Sequence, residues 1–325
     1  METPPPRLDA DPEPGAVYPP RGAGTGNPTP NPLLGAERGL NPEPGLPALP
    51  VSGSGRAGSG SAPDEPPIIR LRGVSVRFGR QQILRGIDLD IGRNQTLCVV
   101  GESGCGKTVT LKLIVGLLTP TEGEVLFEDA PLHRMSEREL TRMRLRVGFL
   151  FQQAALFDSL TVYDNVAFGL RAKGGLTEAD VRGRVRDRVA EVGLPATAEP
   201  KMPAELSGGM RKRVGLARAL ALDPDVMLYD EPTTGLDPIM TDVINELILR
   251  TRTRRPVTSV IVTHEMRTVH KVADRVVMFY PLTRLTPDEP QVLYDGPPAG
   301  LATAADPRVR QFVAGDARER LGEAE

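Results

Sequence analysis

Gly101-Glu102-Ser103-Gly104-Cys105-Gly106-Lys107-Thr108 follows the apolar run Thr96-Leu97-Cys98-Val99-Val100 and precedes the apolar stretch Leu111–Leu118. The eight residues fit G-x-x-x-x-G-K-[ST] in full. They also stand where that pattern has a physical meaning, between a buried strand and a helix start. Glycines let a backbone fold closely around an anion, with successive N–H groups pointing inward as a nest. The helix N-terminus adds partial positive charge. Lys107 is expected to bridge β- and γ-phosphates, and the Thr108 hydroxyl to coordinate Mg²⁺. The segment therefore predicts a phosphate-binding turn at the edge of an α/β sheet.

Working outward, Asp225-Val226-Met227-Leu228-Tyr229-Asp230-Glu231-Pro232 reads as a buried strand ending in two carboxylates. Adjacent strand residues face opposite ways, so the two acids need not share a role. Asp230 is expected in the Mg²⁺ shell and Glu231 beside the attacking water, as base or orienting group. Leu206-Ser207-Gly208-Gly209-Met210 is a second helix start. Ser207 is a good cap, and the glycines leave backbone N–H groups uncovered. One γ-phosphate needs only one cradle within a chain, so this second anion site is expected to cover a nucleotide held by another subunit. Arg211-Lys212-Arg213 follows at once, against the helix dipole. That placement hints at an anion or an acidic neighbour, although a solvated basic run reads the same way.

The rest of the chain sets the frame. Residues 1–67 hold 17 of the 32 Pro and 11 of the 34 Gly, and 8 Asp+Glu against 4 Arg. Such a stretch cannot build a core and is expected to be a disordered tail. The remaining 258 residues carry +2, within a whole-chain charge of −2. That balance argues against a nucleic-acid partner, which calls for a basic footprint. The two cysteines, Cys98 and Cys105, cannot make a disulfide framework. No run is long and apolar enough to span a bilayer. Met1-Glu2-Thr3-Pro4 leads into no signal-like segment, so a cytoplasmic protein is expected, or one held at a membrane by a partner.

Strand-like runs at Ile68–Phe78, Ile83–Ile91, Thr96–Val100, Glu124–Glu128, Val147–Phe151, Val226–Tyr229, Val260–Thr263 and Arg275–Phe279 alternate, after the first few, with helical patterns. The alternation predicts an α/β fold with a parallel sheet and a small antiparallel sheet beside it. Val162–Leu220 reads mainly helical, with a Pro-containing break near Pro195–Pro203.

These motifs together resemble the ATP-binding cassette (ABC) ATPases, over roughly residues 68–280. Besides the phosphate loop, the acidic strand end and Leu206–Met210, the chain has Gln152 after an apolar strand. It has Gly235-Leu236-Asp237-Pro238 just past the acids, and His264 in Ile261-Val262-Thr263-His264-Glu265. The resemblance implies a P-loop NTPase with a RecA-like core, an antiparallel β-subdomain and a helical subdomain of about 154–220. The cassette would run from 68 to 315, with a flexible tail at 316–325. It implies ATP and Mg²⁺ as cofactors. ATP would lie against Phe78, which stacks the adenine, and on Gly101, Glu102, Ser103, Gly104, Cys105, Gly106, Lys107, Thr108 and Val109. Ser207, Gly208, Gly209 and Asp237 would act across a dimer of two copies. Glu231, His264, Lys107 and Gln152 would carry catalysis, and Thr108, Gln152 and Asp230 the metal.

Three finer patterns resemble the ATPases of Mla/Mce-type phospholipid transport. They are Gln153-Ala154-Ala155-Leu156-Phe157-Asp158-Ser159-Leu160-Thr161-Val162-Tyr163-Asp164-Asn165-Val166-Ala167-Phe168, Met210-Arg211-Lys212-Arg213-Val214, and Asp306-Pro307-Arg308-Val309-Arg310-Gln311-Phe312. This implies a separate, MlaE-like integral membrane permease as partner. A lipid-binding Mce-type protein would be a further partner, and the ATPase would sit on the cytoplasmic face of the inner membrane. An importer of polar solutes such as amino acids would share every ATP motif. A non-transport ABC protein would usually need a long coiled coil or a second cassette, which this chain does not show. The loop Pro281–Pro290 is longer than a hairpin link requires, and its role is open.

Overall fold

The computed structural model describes residues 65–316. The expected N-terminal tail up to residue 64 and the C-terminal tail from residue 317 lie outside the described residues.

The chain begins with the antiparallel pair β1 (Ile69–Phe78) and β2 (Gln81–Ile91), then enters β3 (Thr96–Gly101) and α1 (Lys107–Ile114). β4 (Glu122–Phe127) and the short β5 (Ala130–Pro131) precede α2 (Glu137–Arg144) and β6 (Val147–Leu150). Three helices follow, α3 (Val162–Lys173), α4 (Glu178–Glu191) and α5 (Gly208–Leu220). The chain returns as β7 (Val226–Asp230), α6 (Pro238–Arg254), β8 (Thr258–Val262), α7 (Met266–Val272) and β9 (Arg275–Phe279). It closes with β10 (Val292–Gly296) and α8 (Pro307–Ala314).

Among the described residues there are two sheets. One is antiparallel, in the order β2-β1-β4-β5; the other runs β10-β9-β3-β8-β7-β6, parallel except for its edge strand β10. The central strands are buried on both faces, as parallel sheets require. Their side chains alternate between two cores. Leu97, Val99, Leu228, Val260 and Val262 face α1 and the antiparallel sheet. Cys98, Val100, Met227, Tyr229 and Ile261 face the side covered by residues of α3 to α7. The two cysteines are both buried, free, and in different cores.

Most of the helices start where a side chain satisfies their first N–H groups; α1, which opens from Gly106, and α7 do not. Ser136 with Glu139 and Thr177 with Asp180 form capping boxes at α2 and α4. Thr161, Ser207 and Asp237 cap α3, α5 and α6. The predicted break between helical stretches is real: short 3₁₀ turns at Ala196–Ala198 and Pro203–Glu205 separate α4 from α5.

Candidate nucleotide-binding site

Four neighbouring parallel strands deliver the chemistry at one edge. β3 runs into the loop at Gly101, β6 ends just before Phe151-Gln152, β7 ends at Asp230 ahead of Glu231, and β8 ends just before Thr263-His264. The register pairs Val99 with Val262, Asp230 with Val262, and Leu150 with Tyr229. All four carboxyl ends therefore stop at one level. Ligands of open α/β sheets bind at such an edge, because the loops there diverge over the strand ends.

The phosphate loop owes its shape to its glycines. Gly101, Gly104 and Gly106 all have positive φ, at 143°, 79° and 102°. A Cβ on Gly101 would lie 2.2 Å from the Phe279 carbonyl oxygen, and one on Gly106 2.4 Å from Leu84 Cδ2. Lys107 is only 8 % exposed. Its Nζ donates to the carbonyl oxygens of Gly101 (2.8 Å) and Glu102 (2.9 Å), which leaves a third donor for a ligand. The Thr108 hydroxyl donates to Asp230 Oδ1 at 2.9 Å. Burial lifts the Asp230 carboxyl above the usual carboxylate range, and the Thr108 bond opposes that rise. Cys105 is inert by the same logic: desolvation pushes its thiol up to about 11.

A cleft of about 310 Å³ opens over this loop, at the low end for small-molecule sites. Its walls bring together Phe78, Ile83, Ser103, Gly104, Gly106, Lys107, Thr108, Val109, Gln152 and Glu231. Phe78 ends β1 and is 49 % exposed, so it is a surface aromatic and not a core one. Gly101, Glu102 and Cys105 form the loop without lining the cleft.

Glu231 leaves the strand in a left-handed turn, with φ at 48°. That conformation costs a non-glycine residue about 1 kcal/mol or more, so the surroundings must hold it. They do so at four points. The Glu231 amide donates to the Val262 carbonyl (2.9 Å). The Thr234 hydroxyl donates to Oε2 (3.1 Å). His264 Nδ1 stands 2.9 Å from the same oxygen. Lys212 Nζ, from α5, donates to the carbonyl oxygens of Glu231 (3.0 Å) and Thr234 (2.9 Å). His264 is mostly exposed and does not line the cleft; its link to the site is Glu231.

The segment after Gln152 is strained as well. Ala154 and Ala155 both have left-handed φ, at 62° and 46°. The Arg218 guanidinium of α5 donates to both of their carbonyl oxygens at 2.7 Å. Asn165, buried in α3, completes the support by donating to the carbonyls of Phe157, Leu160 and Thr161 and accepting from the Phe157 amide.

Ser207, Gly208, Gly209 and Asp237 stand outside the phosphate cleft of their own chain. Ser207 caps α5 through the Met210 amide (3.3 Å). Gly208 instead lines a neighbouring opening with Gln152, Gln153, Lys212, Thr234, Gly235 and Leu236. Gly209 packs where a Cβ would meet Met240 at 2.7 Å. Asp237 accepts from the amides of Ile239 and Met240, capping α6. The hint of an anion behind Arg211-Lys212-Arg213 has another explanation. Arg211 donates to the Leu206 carbonyl, Lys212 to Glu231 and Thr234, and Arg213 to the Gly193 carbonyl. These cations hold backbone oxygens together. Ile83, Thr234 and Arg218 are the site neighbours that sequence reading misses, and Lys212 stands out there only as part of the basic run at 211–213.

Known proteins match this arrangement. The family profile described as ABC transporter matches residues 84–234. The chain is 39 % identical over 249 residues to the intermembrane phospholipid transport system ATP-binding protein MlaF of Haemophilus influenzae, covering 77 % of this chain and 91 % of that one. It is 38 % identical over 265 residues to the probable ribonucleotide transport ATP-binding protein mkl of Mycobacterium leprae, covering 82 % and 72 %. Among solved structures, a dimeric ATP-binding cassette in a post-hydrolysis state with ADP and Pi superposes with a TM-score of 0.61 at 30 % identity, covering 66 % of this chain and 96 % of that one.

Proposed function

The chain belongs to the ABC transporter family, and on that premise we propose that it binds and hydrolyses ATP to drive a separate membrane permease in phospholipid transport. The observation that carries the reading is the convergence of Lys107, the Thr108–Asp230 pair and Glu231 at one strand-end cleft. Phe78 offers a face for the adenine. The loop N–H groups and Lys107 hold the β- and γ-phosphate oxygens, and Lys107 offsets charge that develops as the γ-phosphoryl transfers. Glu231 accepts a proton from the water that attacks the γ-phosphorus as the bond to the β–γ bridging oxygen breaks, giving ADP and phosphate. A positioned base of this kind contributes about 10²–10⁴-fold. His264 and Thr234 keep its carboxylate oriented.

A divalent cation fits the residues present. Among the described residues no three His, Cys, Asp or Glu side chains converge as a metal cage. One buried carboxylate beside a hydroxyl, with Gln152 lining the same cleft as Thr108, suits Mg²⁺, which takes few protein oxygens and completes its shell with phosphate and water. Bound there, Mg²⁺ would neutralise phosphate charge and let Asp230 stay ionised despite its burial.

Two copies would close head to tail, each phosphate loop meeting the partner's Ser207, Gly208 and Gly209. ATP would then shift the population towards the closed pair, and hydrolysis would release it. Among the described residues no helix is long and apolar enough to cross a membrane. The pathway would be supplied by an integral permease, docked near Gln152 and the 157–170 stretch at the cytoplasmic face of the inner membrane. A lipid-binding Mce-type protein would complete the assembly. The Haemophilus relative is named for intermembrane phospholipid transport, which favours phospholipid cargo. The mycobacterial relative's name supports a second reading, a nucleotide or other polar solute. Tagging the C-terminus and purifying from detergent-solubilised membranes decides between them. A permease with a phospholipid-loaded Mce-type protein supports the first, and a permease with a polar-solute receptor replaces it.

A further inference from the structure

We propose that the segment from Tyr280 to Gln291 is a strap that holds the phosphate loop in its binding shape, with Gln291 and Arg284 as its positioning residues. The inference rests on the reading of the cleft as an ATP site. β9 and β10 pair antiparallel, Phe279 opposite Val292. Such a pair needs a turn of only about two to five residues. The chain instead makes a long excursion, and both of its ends touch the phosphate loop.

At the departing end, Phe279 pairs with Gly101, and its carbonyl occupies the space a Gly101 side chain would need. At the returning end, Gln291 is 2 % exposed. Its Nε2 donates to the Cys105 carbonyl (3.1 Å) and the Ile83 carbonyl (3.0 Å), and its Oε1 accepts from the Arg85 amide (3.0 Å). One buried amide thus ties the phosphate loop to β2, the two walls between which a nucleotide would lie. Its two amide hydrogens and its amide oxygen all go to backbone groups, and the bond to Cys105 is buried. The base of the strap closes with the Tyr280 amide on the Gln291 carbonyl (2.9 Å).

Between the ends, Arg284 Nη1 donates to Glu102 Oε2 at 2.7 Å, a second hold on the loop. Arg85 of β2 donates to the carbonyls of Thr286 (2.9 Å) and Glu289 (2.6 Å), so the strap is itself anchored. Arg308 of α8 pairs with Glu289 at 3.0 Å. The strap therefore holds Glu102 and Cys105, the two residues between which the loop makes its sharp turn, marked by the Cys105 amide on the Glu102 carbonyl. A loop held in its bound shape gives up less freedom when phosphate arrives, so the benefit appears as affinity.

The test is titration with mant-ATP and steady-state ATP hydrolysis on the full chain. Gln291→Leu keeps volume and removes the donors; Arg284→Ala removes the grip on Glu102, and Arg284→Lys restores a cation there. We expect the mant-ATP Kd and the KM for ATP to rise at least fivefold in Gln291→Leu and about threefold in Arg284→Ala. Saturated kcat should stay within twofold, and Arg284→Lys should return close to wild type. Arg284 is partly exposed, so its variants keep the idea testable if Gln291→Leu does not fold. Folded variants with a lower Tm but unchanged Kd and KM overturn the strap while leaving the ATP reading intact. Wild-type protein that does not bind mant-ATP overturns the ATP reading and the strap's role with it.

Discussion

At the scale of single residues, Lys107 has a double duty. It braces the Gly101 and Glu102 carbonyls and supplies the loop's only side-chain ammonium. Lys107→Ala should lower ATP turnover at least 100-fold, because both loop shape and phosphate charge balance depend on it; turnover near wild type in a phosphate-release assay would rule the cleft out as the active site. Glu231 sits in an unfavourable backbone conformation held from several sides. Glu231→Gln keeps shape and removes the base, so ATP should still bind while hydrolysis falls by about 10²–10⁴-fold. Light scattering with ATP and Mg²⁺ should then show an accumulated dimer; a variant that stays monomeric counts against the closed pair. Both cysteines are buried, and burial pushes both thiols up, Cys105 to about 11. Neither should react with Ellman's reagent until the protein is unfolded; fast titration of one thiol in the native state would contradict the packing of the loop.

At the scale of elements, α5 is the hub. Its Lys212 and Arg218 reach the Glu231 turn and the strained alanines after Gln152, so one helix supports two sides of the cleft. Burial lowers the Lys212 ammonium from its ordinary 10.5 to about 8. An unfolded chain keeps that proton to higher pH, so between pH 8 and 10.5 it binds more protons than the folded one, and this group's contribution to stability rises with pH. The urea midpoint of wild type minus that of Lys212→Met should therefore increase from pH 7.5 to pH 9.5; a flat or falling difference would refute the assignment. Lys212 also shows where sequence reading stops. Its neighbours in the chain mark it as one of three basic residues, whereas its partners are backbone oxygens some twenty positions away. The central strands were legible for the opposite reason. Burial on both faces leaves continuous apolar runs, and the expected Thr96–Val100, Val226–Tyr229 and Arg275–Phe279 match β3, β7 and β9 to within a residue. The half-exposed β10 carries no such run and went unseen. The phosphate loop, the acids and Gln152 were readable because each motif is local. The strap was visible only as surplus length, since Gln291 meets Cys105 across 186 positions.

At the scale of the whole molecule, the described fold is tied in from Ile68, which is buried and paired through its backbone to Ile91 and Glu128. Deleting residues 2–64 should leave ATP turnover of the isolated protein within twofold; a larger loss would assign that segment a part in catalysis. The position of Gly208, lining a different opening from the phosphate loop of its own chain, reaches further. If each working centre is shared between two copies, damage to the loop and damage to the glycine turn fall on different centres of a mixed pair. A copy disabled at Lys107 and a copy disabled at Ser207 would then, in one pairing, concentrate both lesions in one centre and leave the other whole. Two alleles that are each inactive alone would complement one another within a single gene.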